Sequence, residues 1–272
     1  MKDRRPARHL LGAALLALAT GLTIGACGGS PIQPGPGPVV QPPPPQPPPP
    51  PPPAAPVLGI TRILTFGDSM TEGVDSPPFA LTAAEWTLPL SAGRSQSYPF
   101  KLKALIDARY TGQTIAVFNG GFAGRNARAD VGRFSQALSE AGKPEVVLLM
   151  EGANDLNSPL EPGEGVNARV ASVVNALEDM VREATARGIP VMIATLPPQR
   201  PNSPKGGGVA FLTRFNDSVR SMAAAKGAEV VDVGSIPLSF IGQDGLHPTE
   251  AGYARIAELW FDAVKARFER AQ

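Results

Sequence analysis

From residue 57 onward, short and mainly apolar runs alternate with longer stretches in which apolar side chains recur every three or four positions. The apolar runs fall at residues 62–66, 114–118, 145–150, 190–195 and 229–233 and are rich in Val, Ile and Leu. Near-continuous apolar runs of this length predict strands covered on both faces, and the chain between them is long enough for crossovers. The helical periods predict helices over 98–110, 129–141, 167–187, 210–226 and 249–267. The last is the clearest, because Tyr253, Ile256, Ala257, Trp260 and Val264 share one face and Thr249, directly after Pro248, supplies an N-cap. Trp260 reads as core packing. Such alternation predicts a three-layer α/β/α sandwich around a five-stranded parallel sheet. Ligand sites in sheets of this kind gather beyond the carboxyl ends of the strands.

The first 56 residues follow other patterns. Lys2, Arg4, Arg5 and Arg8 precede an uncharged apolar stretch over residues 10–24. It is shorter than the roughly 20 residues a membrane-spanning helix needs, and with its basic flank it predicts a secretory leader. Ile24-Gly25-Ala26-Cys27 resembles the lipobox of bacterial lipoproteins, in which cleavage precedes a cysteine that carries lipid. The same resemblance, with Gly28 after the cysteine, favours the outer membrane. A plain signal peptide cut elsewhere, or an uncleaved anchor, is the competing reading. Cys27 is the one cysteine of the chain, so it has no partner for an internal disulfide.

Proline then dominates residues 31–56, with an unbroken run from Pro47 to Pro53. This segment lacks most backbone donors and cannot bury apolar surface, which predicts a polyproline II spacer reaching about 80 Å at about 3.1 Å per residue. A stalk fits its place beside the anchor better than a ligand for proline-binding modules. The predicted organisation is a lipoprotein signal peptide over 1–26, lipidated Cys27 and linker over 27–56, and a folded domain over 57–272. The expected location is extracytoplasmic, with the chain lipid-anchored to a bacterial membrane.

Charge adds only exclusions. The whole chain carries +1, and removing Lys2, Arg4, Arg5, Arg8 and Asp3 with the leader leaves −2. No basic run points to nucleic acid and no acidic block to a solvating tail.

Candidate chemistry lies in four segments, each directly after a predicted strand or, for the last, beyond the final one. Ser69, in Gly67-Asp68-Ser69, sits at a strand-to-helix turn where Gly67 permits a tight backbone and N–H groups can face a developing negative charge. An ordinary capping serine is the commoner explanation of such a tripeptide. Asn119-Gly120-Gly121-Phe122-Ala123-Gly124 either makes a turn or lets backbone N–H groups approach a substrate oxygen. Gly152-Ala153-Asn154-Asp155 is either a plain turn or places the Asn154 amide as an oxyanion donor. Asp244-Gly245-Leu246-His247 pairs a carboxylate with the only histidine beyond the leader. Histidine is the side chain whose ordinary pKa lies nearest neutrality, so an Asp–His pair beside a serine points to acyl transfer. Asp68 and Asp155 read as turn-fixing acceptors of backbone N–H groups. A Walker-type Gly-x-x-x-x-Gly-Lys motif is absent, and one histidine with one cysteine argues against zinc.

Together, and in this order, the four segments resemble the blocks of the SGNH branch of the GDSL hydrolase family over most of residues 60–257. Ser69 matches the nucleophile, Gly124 the glycine of the second block, Asn154 the asparagine of the third, and Asp244 and His247 the final pair. Gly120 and Gly121 compete with Gly124 for its place. The resemblance implies a flavodoxin-like sandwich and a serine esterase needing no metal or organic cofactor. Its expected partners are a small-molecule, carbohydrate or lipid ester and, through the lipid anchor, a membrane. Acetylesterases, lysophospholipases and thioesterases share the constellation, and a cell-envelope binding protein that keeps the fold without turnover is the rival class. Two irregular segments are expected at the same rim. Residues 73–98, with Pro77, Pro78, Phe79, Trp86 and Pro89, read either as a lid or as a core-covering loop, and residues 197–208 as a pocket border.

Overall fold

In the computed structural model, strand Val57–Leu58 (β1) precedes Arg62–Gly67 (β2), the short helix Ser69–Glu72 (α1), and Tyr98–Arg109 (α2). There follow Ala116–Gly121 (β3), Ala127–Glu140 (α3), Val146–Met150 (β4), Ala153–Asn157 (α4) and Val166–Ala186 (α5). Val191–Ala194 (β5), Val209–Lys226 (α6), Glu229–Val231 (β6), Glu250–Phe268 (α7) and Glu269–Arg270 (β7) complete the order, with 3-10 turns at Val233–Ser235 and Leu238–Phe240. The structure describes residues 55–74 and 96–270, with Gly35 and Gly37. The chain divides into Met1–Pro51 and Pro52–Gln272, and every element named here belongs to the second unit. The leader, Cys27, most of the proline run, and Pro77, Pro78, Phe79, Trp86 and Pro89 lie outside the described residues.

The main sheet has the order β3-β2-β4-β5-β6 with every pair parallel. The strand that enters first lies inside the sheet and its successors fall on either side of it, which is the flavodoxin-like winding. β4, Val-Val-Leu-Leu-Met, is buried along its whole length, as a strand with helices over both faces must be. Helices α2 and α7 form one layer, in which Trp260 stacks on Tyr98 with centroids 6.1 Å apart. Helices α3, α5 and α6 form the other, and Phe134 of α3 meets Phe66 of β2 edge-on at 4.9 Å. The predicted face of α7 is buried at all five positions, and Thr249 caps the helix by accepting the Gly252 N–H at 3.2 Å. Burying each large apolar side chain contributes about 2 kcal/mol, so this face alone fixes the helix against the sheet.

Three elements differ from expectation by two residues or more. β3 starts two residues and ends three residues later than the predicted 114–118, so that Asn119, Gly120 and Gly121 belong to the strand rather than to a turn. They pair with Thr65, Phe66 and Gly67 of β2. Glycine is a weak strand former, but here the neighbours leave room for nothing else: a Cβ on Gly121 would lie 2.1 Å from the Glu72 nitrogen of α1. β6 stops at Val231, where Asp232 turns the chain into a 3-10 turn, and α3 begins at Ala127. The β1–β7 ribbon was not expected, since two residues carry no periodicity. It joins Val57 to Arg270 and Leu58 to Glu269, and Glu269 also accepts from Arg109 (Nη2, 2.8 Å) and from the Tyr110 hydroxyl (2.8 Å). Among the described residues no helix is long and apolar enough to cross a membrane.

Candidate active site

β2 delivers Ser69 to the edge of the sheet. Gly67 ends the strand so close to β4 that a Cβ there would lie 2.0 Å from the Met150 carbonyl oxygen. Asp68 then caps α1 by accepting the Met70 N–H at 3.0 Å, and Ser69 opens the helix. The serine is therefore the first helical residue and not the cap. Asp68 is fully buried, and burial lifts its carboxyl to about 6 against the opposing pull of the Met70 N–H and of nearby His247.

The opposite wall is the loop that follows β6. Asp244 Oδ1 accepts the N–H groups of Leu246 (3.1 Å) and His247 (3.0 Å), which closes a tight turn. Its Oδ2 lies 2.5 Å from His247 Nδ1, and His247 Nε2 lies 2.9 Å from Ser69 Oγ. Ser69, Asp244 and His247 are all buried. Burial alone would raise the Asp244 carboxyl, but the hydrogen bonds from the His247 ring and from the Leu246 and His247 N–H groups outweigh it and hold the group below the usual carboxylate range.

Residues 197–208, expected as a pocket border, brace this loop. The Arg200 N–H donates to the Gly245 carbonyl (2.8 Å) and the Lys205 N–H to the Asp244 carbonyl (2.7 Å). The Arg200 guanidinium donates to the carbonyls of Ile241 (2.7 Å), Leu238 (3.2 Å) and Gly242 (3.3 Å). Gly245 adopts φ 90°, and any side chain there would collide with Ser203. Lys205 Nζ stands 3.7 Å from Asp244 Oδ2.

The third wall comes from the ends of β3 and β4, the strands flanking β2. Of the three competing glycines, Gly120 and Gly121 face close neighbours in β2 and α1, whereas Gly124, at φ 77°, faces open space. The loop carrying it is held by Glu72, whose carboxylate accepts the Ala123 N–H at 2.6 Å. Asn154, in α4, donates one Nδ2–H to the carbonyl of Arg125, the residue after Gly124, at 2.8 Å. Asp155 accepts the backbone N–H of Ala127 (2.7 Å), as expected of it, but that group opens α3, and Asp155 also pairs with Arg128 Nε (3.0 Å), which was not expected. The structure thus brings Ser69, His247 and Asp244 into direct contact and ties Asn154 to the Gly124 loop beside them.

Several charged residues of the surroundings were not anticipated, Arg200 and Asp130 chief among them. Arg200 lies in a loop without pattern, and Asp130 lies in a helical stretch where an acidic side chain reads as solvent-facing, yet it is fully buried. The available signal was an arginine on either side of Asp130, at positions 125 and 133. Among the described residues no group of His, Cys, Asp and Glu could hold a metal ion.

A hydroxyl facing an imidazole that is itself backed by a carboxylate can attack an acyl carbon while passing its proton to the ring. Placed at the carboxyl edge of a flavodoxin-like sheet, the arrangement defines the class as an α/β-sandwich hydrolase. Residues 65–255 match the model of the GDSL-like Lipase/Acylhydrolase family, and the chain belongs to that family. Solved structures agree on the fold. The lipase/acylhydrolase from Enterococcus faecalis is 22% identical, with TM-score 0.60, covering 78% of this chain and 99% of its own. The acetylxylan esterase Axe2 from Geobacillus stearothermophilus is 19% identical, with TM-score 0.57 and coverage of 79% and 99%. LAE5, an α/β hydrolase enzyme from the metagenome of Lake Arreo, Spain, is 21% identical, with TM-score 0.57 and coverage of 75% and 94%. No curated protein matches the chain.

Proposed function

We propose that this hydrolase cleaves carboxylic esters of acetyl or short to medium acyl groups, with Ser69 as nucleophile, His247 as general base and acid, and Asp244 as the group that orients the ring. The observation that carries the reading is the unbroken set of contacts from Asp244 Oδ2 through both ring nitrogens of His247 to Ser69 Oγ. Attack by Ser69 Oγ on the ester carbon transfers the hydroxyl proton to His247 Nε2, and the same proton is returned to the leaving alcohol. Water, deprotonated by the same nitrogen, then releases the acid and restores Ser69. Asp244 holds Nδ1–H and stabilises the imidazolium between the two transfers. The Ser69 N–H, the Gly124 N–H and the Asn154 side chain receive the oxyanion, each donor contributing about 3 kcal/mol to the transition state.

An acetylated carbohydrate is the favoured substrate, a reading supported by the likeness to an acetylxylan esterase, whereas lipid-type turnover by a lysophospholipase or thioesterase is the second possibility carried by the family. The leader and Cys27 support export and lipid anchoring to a bacterial membrane, and the proline run a stalk that lets the domain reach extracytoplasmic esters. The test is a turnover screen of the full chain against acetylated xylo-oligosaccharides, p-nitrophenyl esters of graded acyl length and lysophospholipids. Turnover highest on acetyl esters supports the proposal; preference for lysophospholipids transfers it to the lipid reading, and no turnover on any ester favours a binding protein.

A further inference from the structure

Beneath the site lies a buried charged cluster that the proposed chemistry does not use. Asp130 of α3 has no exposed side-chain surface and is gripped by two guanidinium groups. Arg125 Nε donates to its Oδ1 at 2.6 Å, and Arg133 Nε donates to its Oδ2 at 2.7 Å. Each arginine continues to a different part of the site. Arg133 donates to the Gly120 carbonyl of β3 at 2.7 Å and to the Gly67 carbonyl of β2 at 3.0 Å, with its guanidinium 4.1 Å over the Phe66 ring. Arg125 follows Gly124, and its carbonyl takes one amide hydrogen of Asn154. One carboxylate is thereby connected to the ends of the three strands that carry Ser69, Gly124 and Asn154.

We propose that Asp130 is a positioning residue for the oxyanion-binding wall, acting through Arg125 on the Asn154 amide. An asparagine amide has two N–H groups in one plane. Fixing the first on the Arg125 carbonyl fixes the direction of the second, the one available to an acyl oxygen. The carbonyl can do this only while residue 125 is itself held, and the Arg125–Asp130 bond holds it. A donor prepositioned in this way costs no reorganisation when charge develops, so its loss falls on the transition state and not on substrate binding. Burial anchors the carboxylate end: Asp130 has no exposed side-chain surface and is also bound by Arg133, so it offers the half-exposed Arg125 side chain a fixed partner. Glu151, directly before the turn to Asn154, is buried against the same cluster, and burial together with the charges of Asp130 and Asp68 favours its protonated form. Arg125 and Arg133 therefore serve Asp130 without a second full anion beside it.

This inference rests on the oxyanion reading of Asn154, and a double-mutant cycle separates the two. The full chain and its Asp130→Asn, Asn154→Ala and doubly substituted forms are assayed with p-nitrophenyl acetate, kcat and KM being measured for each. The expected result is that Asp130→Asn lowers kcat by about 10-fold with KM changed by less than about 2-fold, while in the Asn154→Ala background it lowers kcat by less than about 2-fold. A structural ion pair with no link to Asn154 gives the same factor in both backgrounds, and that result overturns the inference while leaving the oxyanion reading intact. If Asn154→Ala alone keeps wild-type kcat, the oxyanion reading falls and this inference with it. Should Asp130→Asn not fold, Arg125→Ala cuts the same link from its solvent side, and its factor must likewise vanish in the Asn154→Ala background.

Discussion

His247 Nε2 and Ser69 Oγ lie 2.9 Å apart although 178 positions separate them in the chain. The contact exists because β2 and the loop after β6 both end at the carboxyl edge of one parallel sheet, and each presents its side chain from a backbone that cannot slide. On the serine side the constraint is Gly67 against Met150; on the histidine side it is the turn closed by Asp244 Oδ1.

Asp244 contacts the His247 ring through Oδ2 and closes the turn through Oδ1, so Asp244→Asn separates the proposed orienting role from the structural one. An amide can still accept the Leu246 and His247 N–H groups but no longer stabilises an imidazolium. The expected outcome is a loss of kcat on p-nitrophenyl acetate of about 1,000-fold or more, with the circular dichroism spectrum unchanged. A loss of less than about 10-fold contradicts the assigned role.

Gly121 is required by the approach of α1 to β3. Gly121→Ala should lower stability by about 2 kcal/mol or more, read as a fall in Tm of about 4 °C or more, because a Cβ would strike backbone and not a yielding side chain. Gly112→Ala, where a Cβ meets nothing, is the control and should shift stability by less than about 0.5 kcal/mol. Equal tolerance of both substitutions would show that α1 is not seated as described.

The Asp68 carboxyl has its pKa raised from 3.8 to about 6 by burial. A group whose folded-state value exceeds its unfolded value binds more protons in the native state, so its contribution to stability falls as pH rises through this window and is lost above about 6. Asp68→Asn keeps an oxygen for the Met70 N–H and has no charge to bury. Relative to wild type, the variant should gain stability progressively between about pH 4 and pH 6.5, by up to about 3 kcal/mol, in urea melts across that range. A stability difference that does not vary with pH refutes the raised value.

Arg200 spans three carbonyls of the chain leading into the Asp244–His247 loop. Arg200→Ala should therefore lower kcat by about 10-fold with little change in KM, since a displacement of about 1 Å in a reacting group can cost about 100-fold. Arg200→Lys, which keeps charge but not the fork, should recover only part of the loss. Wild-type kcat in Arg200→Ala would assign the loop a role in folding alone.

The strands, the helices and the residues that meet at the sheet edge were legible because their signals are local: continuous apolar runs, a three-to-four period, and glycine or asparagine directly after a strand. The β3 boundary was not, because Asn119, Gly120 and Gly121 are strand residues only by virtue of what β2 and α1 press against them. Asp130 and Arg200 escaped notice for the same reason. Their meaning lies in carbonyl groups far away in sequence, and a charged side chain in a helix or loop carries no mark of the partner that buries it. Gly124 matches by its place five residues after Asn119, with Gly120 and Gly121 as competitors in the same segment, and only coordinates show that it alone of the three faces open space.

Cys27 lies outside the described residues, and its proposed lipid anchor is open to mass spectrometry of the protein recovered from membranes of a bacterial host. Acylation at Cys27 is expected, with the leader removed and the modification abolished by Cys27→Ser. A native mature protein free of lipid contradicts the anchor.

The proposed chemistry depends on Ser69 being the nucleophile. Full-length protein treated with a fluorophosphonate should gain a single adduct mapped by peptide mass spectrometry to Ser69, with p-nitrophenyl acetate turnover lost in proportion to labelling, and Ser69→Ala should show neither adduct nor turnover. An adduct on another residue, or turnover retained in Ser69→Ala, contradicts it.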